Sequence, residues 1–151
     1  MEQKLLNQEI PALQRNNYFK WKAQTNMEMD QSVNVFGEPL VACGERPVTG
    51  FFRDGHCNTC KEDTSSHTVC IQASKEFLEF SKMKGNDLST PVPKYGFDGL
   101  KPGDSWCLCA ARWLEAYKSD MAPRIHLTRT HMRALEIVPF EILRQFAVDL
   151  N

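Results

Sequence analysis

Residues 67–85 read HTVCIQASKEFLEFSKMKG, and the fold class turns on this stretch. His67 to Ala73 carries β-branched residues and has the length of a strand. Ser74 then offers a side-chain oxygen to the unpaired N–H groups of a first helical turn, the role of an N-cap. Phe77, Phe80 and Met83 recur at helical spacing, which predicts a helix over residues 75–84 with these three on its buried side. Gly85 follows where a left-handed residue closes a helix, a conformation that glycine adopts without steric cost. A strand running directly into an amphipathic helix points to a sheet with helices packed on it.

The same pattern recurs downstream. Pro102-Gly103 suits a type II turn, and Ser105 to Cys109 reads as the strand after it. Ala110, Trp113, Leu114 and Tyr117 fall at i, i+3, i+4 and i+7, predicting a helix over residues 110–118. Pro139 is a good first-turn residue, and Leu143, Phe146, Ala147 and Leu150 continue a third helix. Arg124 to Thr128 alternates as a strand does. Val48 to Arg53 reads as a further strand, turned by Asp54-Gly55. The expected architecture is an α+β, two-layer domain over residues 33–151, with a small sheet of about three to five strands backed by helices. Residues 1–32 are rich in Gln, Asn and Met, and Pro11 interrupts their one helical stretch. They read as a polar, flexible extension from which Phe19 and Trp21 could dock on the domain.

Composition narrows the function. The chain has 151 residues, 42% apolar and 25% charged, which fits one domain with a real core. The net charge of −1 leaves no electrostatic footprint for nucleic acid. The run Arg124, His126, Arg129, His131 and Arg133 reads as a solvated edge. No apolar run has the length of a membrane helix. The first 30 residues lack the apolar core of a secretory signal, and Glu2, Glu9, Glu28 and Asp30 argue against a mitochondrial presequence. The cytosol is the expected compartment, where six reduced cysteines read first as metal-binding or catalytic.

Four stretches, taken together, carry a resemblance. They are residues 49–55 (TGFFRDG), 67–70 (HTVC), 85–91 (GNDLSTP) and 100–110 (LKPGDSWCLCA). In this order, and over roughly residues 34–147, the chain resembles the mainly bacterial family known as domain of unknown function 2237. The resemblance implies a compact α+β domain and brings no activity with it. In that family the position matching Cys60 is often not cysteine, so the resemblance implies that Cys57-x-x-Cys60 is not the family's shared chemistry.

The cysteines and histidines are the first candidates for chemistry. Cys57-x-x-Cys60 has the spacing of a zinc knuckle or a redox pair, but the polar residues after it read as loop rather than helix. Cys107 and Cys109 share one face of their strand, with Cα atoms about 6.7 Å apart, too far for an easy mutual disulfide. Cys57, Cys70, Cys107, Cys109 and His67 are therefore the candidate metal ligands, with zinc the fitting cation. The competing possibility is that Cys70, Cys107 and Cys109 are small core residues. Cys57, in a polar loop, is the candidate nucleophile and the cysteine expected to react fastest, with His67 as base and Asp63 orienting it.

A small polar ligand has its own candidate set in Arg53, Asp54, Asn86, Asp87, Asp104, Trp106 and Arg112. The charged members could equally pair with one another, and Asn86 and Asp87 could cap their own turn. Three functions follow: a small-ligand or metal-binding domain, which the crowding of Cys and His over residues 56–70 favours; a small-molecule enzyme with a cysteine nucleophile; and a non-catalytic interaction module.

Overall fold

The computed structural model of the protein describes residues 27–150. Phe19 and Trp21, and most of the N-terminal extension, lie outside the described residues. Three strands form one antiparallel sheet: β1 (His67–Gln72), β2 (Ser105–Cys109) and β3 (Arg124–Ile125). Their order is β2-β1-β3, so β1 is central and β2 is an edge. Helix α1 (Lys75–Met83) follows β1, α2 (Ala110–Lys118) follows β2, and the short α3 (Phe140–Leu143) comes near the end. This is the small α+β domain the sequence predicts.

The caps behave as their chemistry requires. Ser74 is the N-cap of α1, its side chain accepting from the Phe77 N–H. Gly85, just beyond, has φ of +92°. Alternation along β1 and β2 sorts the residues by face. Val69, Ile71, Trp106 and Leu108 pack with Phe77, Trp113 and Ala116 into the main core. Cys70 and Cys107 point the other way, into a layer of loops from residues 43–60.

Four expectations are corrected. Val48–Arg53 forms turns, not a strand, because Gly50 and Arg53 take positive φ. Met83 is 72% exposed, so the buried stripe of α1 is Phe77, Leu78 and Phe80. The strand at 124 ends after two residues, and Leu127–Arg129 is a 3-10 turn. Its backbone N–H groups at Leu127 and Thr128 donate to the Asp149 carboxylate at 2.8 and 2.9 Å. The third helix is cut short for the same reason. The chain leaves helical geometry at Ala147, which bridges to Ile125, and the Val148 N–H donates to the Ile125 carbonyl at 2.8 Å. Tail pairing with β3 outweighs the helical spacing of Phe146, Ala147 and Leu150.

The last residues of the expected extension contact the domain. Met29 bridges to Cys60, and the Asp30 N–H donates to the Thr59 carbonyl at 2.9 Å. Arg133 donates to the Cys60 carbonyl and, at 3.2 Å, to the Asp30 carboxylate.

His131 locks this seam. Its Nδ1 accepts from the Arg133 N–H at 3.0 Å, which leaves Nε2–H to donate to the Gln31 carbonyl at 2.9 Å. Protonation would set two donors against each other at Nδ1. Burial depresses the His131 basicity, against the Gln31 carbonyl and Asp30, which raise it. The unfolded chain therefore binds the proton more readily. Stability should be complete above the free value of about 6.5 and fall as pH drops below it. Melting curves between pH 7.5 and 5 check this, and His131→Gln should flatten part of the slope. The remainder is expected from His126, which burial and Arg129 also depress.

Candidate functional site

Four cysteines are joined in pairs, Cys43 to Cys70 and Cys57 to Cys107, with Cα separations of 5.7 and 5.3 Å. Both separations are ordinary for disulfides. The expectation of six reduced cysteines is corrected accordingly. Cys70 and Cys107 are direct neighbours across β1 and β2, so both bonds reach from the sheet to the overlying loops. Cys43 was not among the sequence candidates. Its loop position carries no periodic signal, and its partner lies 27 residues away.

Of the expected metal set, Cys57, Cys70 and Cys107 come together, joined by Cys43. The sulfurs of Cys43, Cys57 and Cys70 lie within 4.8 Å of one another. Cys109 and His67 lie apart from this cluster. Of the expected catalytic set, Asp63 and His67 meet, but Cys57 is bonded to Cys107 and fully buried. A sulfur held in a disulfide offers no thiolate, so the nucleophile expected at Cys57 is not available in this state.

The structure places a different thiol opposite His67. In an unbroken ladder His67 would share the face of Val69 and Ile71. The register instead pairs Val69 with Leu108 and His67 with Cys109, so Thr68 is the extra residue of a bulge. A bulge re-aims the residues beside it. Here it transfers His67 to the cysteine face, opposite Cys109. Ser66 supports the irregularity with φ of +51°, while its carbonyl accepts the Ala110 N–H at 2.9 Å. The His67 ring lies 6.2 Å from that of Phe51 in the loop layer.

Asp63 fixes the imidazole. Its Oδ1 sits 2.8 Å from His67 Nδ1, and its Oδ2 accepts the His67 N–H and the Thr59 hydroxyl, each at 2.9 Å. A carboxylate only accepts, so Nδ1 carries the hydrogen that faces Asp63 and the ring presents Nε2 on its far side. Asp63 is completely buried. Cys109 lies outside both disulfides. It occupies the N-cap position of the nine-residue α2, where the helix field favours negative charge. At 8% exposure it is the most accessible of the six cysteines. Cys60 also lies outside the disulfides, but burial, partly offset by backbone hydrogen bonds, pushes its thiol up to about 11. It is therefore inert near neutrality.

The expected ligand residues mostly serve their own loops. Asp87 accepts from the N–H groups of Ser89 and Thr90 at 3.1 and 3.0 Å. Asp104 accepts from the Lys101 N–H at 2.8 Å, and Asp54 from the His56 N–H and the Asn58 amide at 3.0 and 2.9 Å. Arg112 pairs with Glu115 rather than with Asp54 or Asp104. The Asn86 carbonyl accepts from the Ser81 hydroxyl at 2.7 Å. Only Arg53 and Trp106 of this set stack on each other, the guanidinium carbon 5.3 Å from the indole centroid.

Among the described residues no helix is long and apolar enough to cross a membrane. No curated protein matches the chain. A family profile matches residues 33–147, which contain every element and every cysteine described above. The chain thus belongs to the domain of unknown function 2237 family, described as an uncharacterized protein conserved in bacteria.

Proposed function

We propose that this domain is a small cysteine-dependent enzyme in which Cys109 is the nucleophile, His67 the general base and Asp63 the residue that orients it. The reading rests on the bulge at Thr68, which sets His67 opposite Cys109 while Asp63 holds the far side of the ring. Nucleophile, base and orienter in that order are the parts that activate a thiol. The disulfides hold the loop layer to β1 and β2 on the same face. In the proposed reaction the Cys109 sulfur adds to the carbonyl carbon of a small ester or thioester, and its proton passes to His67 Nε2. His67 returns that proton to the leaving alcohol or thiol as the carbon–oxygen or carbon–sulfur bond breaks. Water, deprotonated by His67, then hydrolyses the acyl–sulfur bond and restores the thiol.

Model aryl esters and small thioesters test this, with mass spectrometry to locate an acyl group. The wild type should turn over and trap an acyl group on Cys109. Cys109→Ser and His67→Gln should fall to background, and Asp63→Asn should lose roughly 10²-fold or more. Equal rates for wild type and Cys109→Ser would reject the reading.

A second reading comes from the sulfurs of Cys43, Cys57 and Cys70. In a reducing compartment these three and Cys107 would present four thiolates, a donor set that suits zinc. The two readings differ in a count. Unfolded, unreduced protein with two thiols, from Cys60 and Cys109, and no metal supports the stapled enzyme. Six thiols and one equivalent of zinc support the metal centre.

A further inference from the structure

Arg53 is 5% exposed, and its Nε and Nη2 are buried with no hydrogen-bond partner. Guanidinium does not lose its proton in proteins, so a full positive charge is enclosed there. Among the described residues no carboxylate pairs with it. Such a charge is strongly destabilising unless something compensates it. The two orphaned atoms are the adjacent N–H groups on one edge of the guanidinium fork, the edge that takes a carboxylate in bidentate fashion. Trp106, 3% exposed and stacked on the same guanidinium, has a third buried donor without an acceptor, its indole Nε1–H.

The loop that inserts Arg53 is built for the purpose. Arg53 takes φ of +56°, a conformation that non-glycine residues hold only when their surroundings impose it. The imposing contacts are visible. The Arg53 N–H donates to the Gly50 carbonyl at 3.0 Å, and the Gly55 N–H to the Thr49 carbonyl at 3.1 Å. The Thr49 hydroxyl accepts the Cys107 N–H at 2.8 Å, which anchors the loop to β2. Gly50, at φ of +100°, lies so close to the His56 carbonyl that a side chain there would collide. Phe97 packs on Trp106 at 5.9 Å and also lines an open groove of about 450 Å³, whose walls carry Arg46 and Lys101 together with Glu45, Asp98 and Asp104.

We infer that Arg53 and Trp106 form a binding site for a small oxyanion, most naturally the carboxylate of a small molecule. The anion supplies the missing counter-charge, and three donors meet its oxygens. This site stands on different residues from the thiol chemistry proposed above and does not depend on it.

The test uses the full chain labelled with ¹⁵N. The Trp106 indole N–H and the Arg53 Nε–H are followed while sodium acetate, inorganic phosphate or sodium chloride is added at constant ionic strength. Trp106→Phe and Arg53→Lys assign the signals. Both signals should shift and saturate with an oxyanion and not with chloride, and the melting temperature should rise in step. Saturation by acetate assigns a carboxylate ligand. Saturation by phosphate alone assigns a phosphate-bearing one, and both support the site. Trp106→Phe keeps an aromatic face, though a smaller one, and removes one donor, so it should weaken binding about tenfold. Arg53→Lys loses the bidentate edge and should weaken it further. If Arg53→Lys fails to fold, Trp106→Phe alone decides. Shifts that never saturate, shifts identical with chloride, or affinity unchanged in Trp106→Phe would overturn the inference.

Discussion

Replacing Cys57 and Cys107 together by alanine is expected to destabilise the fold by about 4 kcal/mol. The bond between them closes a loop of 50 residues, and a cross-link of that span removes roughly this much loop-closure entropy from the unfolded chain. Both sulfurs are buried, so the double change also leaves small voids under the loop layer. Changing both residues avoids stranding one thiol beside the Cys43–Cys70 bond, where exchange would confuse the result. Urea unfolding without reductant measures the loss. A change below about 1 kcal/mol would mean that the pair is not bonded in the folded protein. The Thr49–Gly55 turn should loosen too, because the Cys57–Cys107 bond and the Thr49 hydroxyl both tie it to β2.

Trp113→Ala should cost ~3–5 kcal/mol, the usual range for a large aromatic removed from a core. Trp113 is wholly buried in α2 and donates its indole N–H to the Pro123 carbonyl at 3.2 Å. Its ring stacks on Tyr117 at 5.8 Å and meets Phe146 edge-on at 5.2 Å. Truncation therefore opens a cavity, orphans a buried carbonyl and unseats the C-terminal segment at once. Trp113→Phe keeps most of the volume and should cost much less. A loss under about 1 kcal/mol for Trp113→Ala would contradict the packing of α2 described here.

Trp113 and the Cys57–Cys107 pair mark the boundary of what the sequence discloses. Trp113 is legible because helical spacing fixes its face, and face fixes burial. Ser74 is legible because an N-cap is a local hydrogen bond. The partner of Cys57 is not, since a bond across 50 residues depends on which loops the fold brings over the sheet. Alternation correctly separates the cysteine face of β2 from the core face. It gives the wrong face for His67, because the extra residue at Thr68 inverts alternation at that point and nothing in the sequence flags it. Asp63 and His67 were legible as a pair from their spacing of four. The thiol set opposite them was not, because Cys109 shares its strand pattern with Cys107 and only the disulfide at Cys107 tells the two apart. Arg53 was legible as a ligand candidate through its aromatic neighbours, but not as a buried charge. The left-handed turn that drives it inward is set by contacts of Thr49 and Gly55 with the rest of the loop and with β2.

The central claim is that His67, held by Asp63, activates the Cys109 thiol. The rate of alkylation at each cysteine across pH 5 to 9, followed by peptide mapping without reduction, tests it most directly. Cys109 should be modified first, and Cys60, with its thiol pushed up to about 11, should stay unmodified near neutrality. In His67→Gln the Cys109 rate near pH 7 should fall about tenfold, and its profile should move to higher pH, toward that of an unassisted thiol near 8.5. An unchanged profile in His67→Gln, or modification of Cys60 ahead of Cys109, would contradict the account.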